Sequence, residues 1–310
     1  MLQQAFQTVY DNGILYLIQI FSERQEGMDI QWFPGHMAKA LRDTKDKLKA
    51  VDMIVEVCDA RIPVSSRNPV LNEMISGKPR LIVLNKSDLA EERFNQEWME
   101  YFRSEGYTAV CVWGTDRVSA RKIIAMCLSI CSDKIERARA RGQLIRPVRV
   151  MVAGIPNSGK SSIINSISGR KSAQTSDRPG VTRMPQWIRA GKDIELMDMP
   201  GVLWPKIDSR DGQVLLAATG SIKDSVIDLT ETAYRSMEIV KRLYPELLFS
   251  RYGIDPDHQL TPELFEQAAL KRGCVRSGGR ADLERFSGIF LDELRSAKAG
   301  RMTFERPDKS

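Results

Sequence analysis

The sequence predicts an α/β protein: a mostly parallel sheet covered by helices on both faces, followed by a smaller all-helical domain. Three observations lead there. Short apolar runs alternate with segments of helical spacing from about residue 52 to residue 199, the pattern of strands joined by crossover helices. One of these strands runs straight into "GIPNSGKS" (154–161), a glycine-rich turn that opens a helix. After about Pro205 the strand-like runs stop and helical periodicity alone remains.

The elements follow in order. "DMIVEVCDA" (52–60) is apolar and rich in β-branched residues, a buried strand. "NPVLNEMISG" (68–77) has helical spacing and a closing glycine. "PRLIVLNKSD" (79–88) is a second buried strand that ends in a polar turn, and a helix follows over about 92–105. "TAVCVW" (108–113) is a third strand, and 117–141 reads as one long helical segment. "VRVMVAG" (148–154) is a fourth strand, and "SSIINSIS" (161–168) opens the next helix. "QWIRA" and "DIELMDM" (193–199) form a hairpin around Gly191 and Lys192. Beyond these, 213–220, 230–245, 261–273 and 281–298 have helical periodicity. Thr261 is placed to cap the third of these, with Pro262 at its first position and Glu263 facing the positive helix end.

Composition bounds the function classes. The 310 residues suffice for one large or two ordinary domains, and 42% apolar with 28% charged residues is ordinary for a globular protein. The net charge of +6 suits an acidic partner without requiring one. Six of the basic residues (Lys134, Arg137, Arg139, Arg141, Arg146 and Arg149) crowd into 134–149 against Glu136 alone. That stretch reads either as a solvated helix face and linker or as a polyanion contact. Five cysteines without a C-x-x-C pair, and two histidines, give no basis for a disulfide framework or a histidine-rich metal site. They fit a reducing cytoplasm. "GILYLIQIF" (13–21) is too short to span a bilayer and lacks the flanks of a signal peptide. Integral membrane association is therefore not expected. Residues 1–27 read as an N-terminal extension or a misassigned start, because "MDIQWFPGHMAKA" from Met28 resembles the beginning of a domain.

Three motifs at strand ends carry the chemistry. Gly154 to Ser161 matches G-x-x-x-x-G-K-[ST]. Its glycines let backbone N–H groups approach phosphate oxygens, Lys160 reaches the β- and γ-phosphates, and Ser161 offers a hydroxyl to Mg²⁺. The following helix presents its positive end to the anion. Asp198-Met-Pro-Gly201 supplies a carboxylate for Mg²⁺ and a glycine N–H that can sense a γ-phosphate. Asn85-Lys86-Ser87-Asp88 ends in a carboxylate that can accept hydrogen bonds from both N1–H and the 2-amino group of guanine. Adenine offers neither, so this loop selects GTP over ATP and argues against a small-molecule kinase.

These segments resemble the G1, G3 and G4 motifs of TRAFAC-class GTPases. The usual order places G4 last of the three, yet here NKSD precedes the phosphate loop. The resemblance therefore implies a P-loop GTPase domain in circularly permuted order, G4-G5-G1-G2-G3, with the back half of the domain moved to the front. Permutation is physically permissible because domain termini are commonly close together at the surface. Within that class, "IQWFPGHMAKA" (30–40), "DARIPVSSRNP" (59–69), "DRPGVTR" (177–183), "MPGVLWPK" (199–206) and "SGGRADLERF" (277–286) resemble the ribosome biogenesis GTPase A family from about Met28 to Pro307. The resemblance implies a permuted GTPase domain over 28–208 and a basic, helical RNA- or ribosome-binding domain over 209–310. It also implies GTP/GDP and Mg²⁺ as ligands. The partner it implies is the precursor of the large (50S) ribosomal subunit, its rRNA and ribosomal proteins, met late in maturation by a monomeric, cytoplasmic factor.

The resemblance assigns further residues. Asn157, Ser158, Gly159 and Ser162 complete the phosphate-loop set. Thr182 corresponds to the G2 threonine that completes Mg²⁺ coordination with Ser161 and Asp198. G5 is the poorest match, placed near Gly114 and Thr115 in "CVWGTD", with Trp113 a possible neighbour of the base. Val202 follows Gly201 where many GTPases carry a water-orienting glutamine. The catalytic group must then lie elsewhere, and His36 in "FPGHM" is the residue the family suggests; a structural turn histidine is the alternative. Asn157 resembles the asparagine of K⁺-stimulated GTPases, where K⁺ replaces an arginine finger, although Arg178 or Arg183 could also serve. The competing function is a nucleotide-gated RNA- or protein-interaction switch with little turnover. In either case Lys271, Arg272, Arg276 and Arg280 form a basic turn facing a polyanion.

Overall fold

The computed structural model describes residues 47–75, 77–169, 186–204, 207 and 209–307. Six strands form one sheet: β1 (Met53–Asp59), β2 (Arg80–Asn85), β3 (Thr108–Cys111), β4 (Val148–Gly154), β5 (Gln186–Ala190) and β6 (Ile194–Asp198). Their spatial order is β3-β2-β1-β4-β6-β5. All neighbours are parallel except β5 and β6, the predicted hairpin. Gly191 supplies the positive φ that its turn requires.

Alternate residues of the central strands serve opposite faces. Met53, Val55 and Val57 of β1 pack with Leu81, Val83, Val150 and Val152. Helices α3 (Arg117–Ile130) and α5 (Lys160–Ser168) cover that face through Ile123, Cys127, Ile163 and Ile164. On the other face Ile54 packs with Met151, Met197 and Leu71 of α1 (Pro69–Met74), while Cys58, Ile82 and Leu84 meet Phe94, Trp98 and Phe102 of α2 (Glu92–Ser104). A strand buried on both faces is why β1 reads as an unbroken apolar run. Glu56 interrupts the run ahead of the terminal Asp59, and the guanidinium groups of Arg67 and Arg80 pair with its buried carboxylate, each at 3.2 Å.

The expected long helix over 117–141 is two. Cys131 closes α3 and precedes α4 (Ser132–Ala140). The basic stretch is also less exposed in charge than the sequence suggests. Lys134 and Arg146 pair with Asp52, and Arg149 pairs with Glu195 while lying over Trp187.

The helical residues form a second compact unit, 207–219 and 224–300, with 220–223 and 301–307 belonging to the sheet unit. Its helices are α6 (Arg210–Ala218), α7 (Leu229–Leu243), α8 (Pro245–Tyr252), α9 (Pro262–Lys271) and α10 (Leu283–Arg295). Thr261 caps α9 through Leu264 N–H as expected. Helix α8 was not anticipated; its eight residues begin at Pro245 itself and are too few to show a period. Tyr252, Phe265, Phe286 and Phe290 pack edge-on in the centre. Two members of the basic turn are engaged inside the unit. Arg272 shares the carboxylate of Glu293 with Arg251, and Arg276 pairs with Asp282. Among the described residues no helix is long and apolar enough to cross a membrane.

Candidate nucleotide site

Register brings the motifs together. Asp59 lies opposite Asn85, Val57 opposite Gly154, and Val152 opposite Asp198. The carboxyl ends of β1, β2, β4 and β6 therefore finish on one edge, and the loops that leave them carry the predicted residues. The chain builds outward from β1 to β3 and then places β4 on the other side of β1. Ligands in open α/β sheets bind at such a reversal of strand order.

The loop after β4 has the backbone its sequence demands. Gly154 and Gly159 have φ of 150° and 89°, and Asn157, without glycine's freedom, is held at 56°. A Cβ on Gly154 would collide with the Val57 carbonyl, and one on Gly159 with the Asn85 amide nitrogen. Ser158 is wholly buried, its hydroxyl bonded to the Ile155 carbonyl at 3.0 Å. Ser161 and Ser162, by contrast, are partly exposed on the first turn of α5. Lys160 is buried and donates to the Ile155 carbonyl at 2.7 Å. Burial pushes its pKa down to about 8, with buried Asp198 pulling the other way.

Gly201 lies against this loop. A Cβ there would come within 2.8 Å of Lys160 Nζ and of Pro156 Cα. Val202 and Leu203 are buried, and the Val202 carbonyl accepts from Asn68 Nδ2 at 2.9 Å. The apolar residue after Gly201 is thus a packing residue. Asn157 donates through Nδ2 to the Gly220 carbonyl at 2.7 Å, a partner 63 residues away that no motif points to.

The Asn85–Asp88 loop is joined to the phosphate loop directly: Asn85 Nδ2 donates to the Ser158 carbonyl at 2.8 Å. Its Oδ1 is buried without a hydrogen-bond partner among the described residues. Lys86 turns the chain out of β2 with φ of 59°, a conformation that a side chain adopts only under constraint. The constraint is Asp59, which takes Lys86 Nζ at 2.9 Å and the Arg61 guanidinium at 2.8 Å. Burial opposes the charge of Asp59, but Arg61 and Lys86 hold its carboxyl well below the usual carboxylate range. Ser87 Oγ donates to the Val112 carbonyl at 2.9 Å. Asp88, next along, is partly exposed.

The G5 region joins the same cluster. Gly114 is buried, and a Cβ there would meet Asn85 Oδ1 at 2.8 Å and Ile163 at 3.2 Å. Thr115 is exposed, and Trp113 is 55% exposed rather than packed. Ser119 lies inside α3, where its hydroxyl accepts from Trp113 N–H at 3.2 Å. His36, Thr182, Arg178 and Arg183 lie outside the described residues.

The donor set suits Mg²⁺. Ser161 and Asp198 offer hard oxygens, and the described residues contain no cluster of histidine, cysteine or carboxylate ligands that could enclose a metal alone. Mg²⁺ is ordinarily held in this way, by one or two protein oxygens together with phosphates and water. Asp59 and Arg61 are the functional-looking residues that motif reading missed. "DAR" was visible in the sequence, but nothing in its spacing showed that it would meet Lys86.

A parallel sheet that gathers a phosphate loop, an Asp-x-x-Gly turn and an earlier Asn-Lys-Ser-Asp loop on one edge is a circularly permuted P-loop GTPase domain. The family described as 50S ribosome-binding GTPase matches residues 149–245. Ribosome biogenesis GTPase A of Bacillus cereus is 43% identical over 282 residues, covering 91% of this chain and 95% of the relative. The protein of the same name from Thermotoga maritima is 33% identical, covering 90% and 95%. Among solved structures, GDP-bound YlqF aligns with a TM-score of 0.62 at 30% identity, covering 86% of this chain and 100% of that one. GNP-bound YlqF from T. maritima gives 0.60 at 29%, covering 88% and 100%. The chain belongs to the ribosome biogenesis GTPase A family.

Proposed function

We propose that this GTPase acts late in maturation of the large ribosomal subunit, binding the particle in the GTP state and leaving after hydrolysis. The observation that carries the nucleotide half of this reading is the bond from Asn85 to the Ser158 carbonyl, which ties the base-reading loop to the phosphate loop. Gly154 to Ser162 then surround the phosphates with backbone N–H groups and the Lys160 ammonium. Asn85 and Lys86 frame the base, Asp88 reads guanine, and Gly114 and Thr115 border it. Ser161, Asp198 and Thr182 would hold Mg²⁺, which would supply positive charge to the phosphates when bound. Gly201 follows the presence or absence of the γ-phosphate.

Val202 is buried and apolar, so it cannot orient water, and the reading gives that task to His36. Asn157 supplies an amide oxygen for K⁺, in place of an arginine finger. The relatives' names support a role in ribosome biogenesis; the late step, the 50S precursor, the cytoplasmic location and the rRNA contact through the helical unit are this proposal's own.

The test is GTP hydrolysis with and without 50S precursors, in K⁺ and in Na⁺, alongside sedimentation of the protein with the particles. Stimulated turnover in K⁺ and GTP-dependent co-sedimentation are expected. Binding without stimulation would favour the switch reading, and no binding would overturn the proposal.

A further inference from the structure

After α10 the chain leaves the helical unit at Gly300 and its last described residues rejoin the sheet unit. Met302, Thr303 and Phe304 are buried there. They do more than cover apolar surface, because they make polar contacts with the two loops behind the base-reading residues. Met302 N–H donates to the Leu89 carbonyl at 3.1 Å, and Thr303 Oγ1 accepts from Glu91 N–H at 3.2 Å. Both contacts lie just beyond Asp88. Phe304 N–H donates to the Arg61 carbonyl at 2.8 Å. The Glu305 carboxylate accepts from Val64 N–H at 2.6 Å and Ser65 N–H at 3.0 Å, and its carbonyl accepts from the indole of Trp98 at 3.0 Å.

Asp88 is thereby pinned from two sides. On its amino side Asn85 is held by Ser158 and Lys86 by Asp59, both within the sheet and phosphate loop. On its carboxyl side the tail ties down Leu89 and Glu91, beside the turn bond from Leu89 N–H to the Lys86 carbonyl. The tail also grips the 61–65 loop, whose Arg61 shares Asp59 with Lys86. A carboxylate that must meet two donors of one base edge needs its loop fixed to a fraction of an ångström.

We propose that residues 302–305 are a strap that holds the guanine-reading loop in its nucleotide-binding conformation, with Thr303 and Glu305 as positioning residues for base recognition. The strap rests on the reading of Asp88 given above. The chain passes from α10 through six residues, 296–301, into the strap, so the strap follows directly on the end of the helical unit in sequence.

The experiment compares Thr303→Val and Glu305→Ala with the unaltered full chain. It measures the GDP dissociation rate and the affinity ratio of GDP to inosine diphosphate, which lacks the 2-amino group. Loss of the carboxylate's bonds should accelerate GDP release about tenfold. The GDP-to-inosine diphosphate ratio should fall about threefold or more, because a loosened Asp88 gains less from the second donor. Thr303→Val should shift both in the same direction by less. Thr303→Val removes the bond from Glu91 N–H with little change of volume, so it decides the matter alone if Glu305→Ala does not fold. A fall in thermal stability with an unchanged ratio would make the tail a structural staple and overturn the strap. Preference of the unaltered protein for GDP over ADP is the separate arm: its absence would sink the Asp88 reading, whereas its presence with unmoved variants would sink the strap alone.

Discussion

Nucleotide binding should take up a proton, and Lys160 is the reason. Its side chain is buried at the start of α5 and, among the described residues, donates to a carbonyl of its own loop. Burial lowers its pKa to about 8, against the pull of Asp198. A bound diphosphate places negative charge beside Nζ and favours the ammonium form. With a free-protein pKa of about 8, binding should take up about 0.1 proton near pH 7 and about 0.5 near pH 8. The GDP dissociation constant should rise about twofold by pH 8 and about fourfold by pH 8.5, relative to neutral pH. Isothermal titration of Mg²⁺–GDP in buffers of different ionisation enthalpy reads the proton count directly. The series stops near pH 8.5 so that guanine N1 stays protonated. The nucleotide-free protein carries the opposite signature. A lysine depressed from 10.5 to about 8 is already neutral in the folded state while the unfolded chain still holds its proton. Stability should therefore rise with pH between those values. A proton count near zero across the series would refute the claim that the phosphates restore the charge of a buried, pKa-depressed Lys160.

Three other changes test separate parts of the account. Gly159→Ala forces a left-handed alanine into the Asn85 amide; thermal and denaturant unfolding should show a loss of about 2 kcal/mol, and GDP affinity should drop at least about tenfold. His36→Ala should leave GTP affinity within a few-fold and lower particle-stimulated turnover by roughly 10²–10⁴; an unchanged rate returns His36 to a turn role. Glu293→Gln leaves Arg251 and Arg272 without their shared carboxylate and should destabilise the protein by about 3 kcal/mol in denaturant titration, with GDP affinity of the folded protein unmoved.

The sheet was legible because strands buried on both faces announce themselves as apolar runs, and the hairpin because Gly191 marks its turn. The phosphate loop was legible because Gly154, Gly159 and Lys160 are demanded by backbone geometry, and the structure shows side chains of any size excluded at both glycines. What stayed hidden depends on distance in sequence. Asp59 meets Lys86 across 27 residues, Asn157 meets Gly220 across 63, and Thr303 meets Glu91 across 212. No local period encodes such pairs. The break at Cys131 was hidden for a different reason: α3 and α4 both satisfy helical spacing, and the interruption costs only a cap. The ion pairs of the basic stretches were not legible either, because a count of arginines does not show that Asp52, Glu195, Glu293 and Asp282 lie opposite them in the fold.

Base selectivity tests the central claim most directly. If the loop at the end of β2 reads guanine across the permuted junction, Asp88 must be the group that accepts from N1–H and the 2-amino nitrogen. Asp88→Asn replaces that double acceptor with an amide that can instead donate to O2 of xanthine. Competition binding with GDP and xanthosine diphosphate should show the unaltered protein preferring GDP. The variant should reverse that order, with GDP affinity falling by at least about a hundredfold. A variant that still prefers GDP would contradict the account.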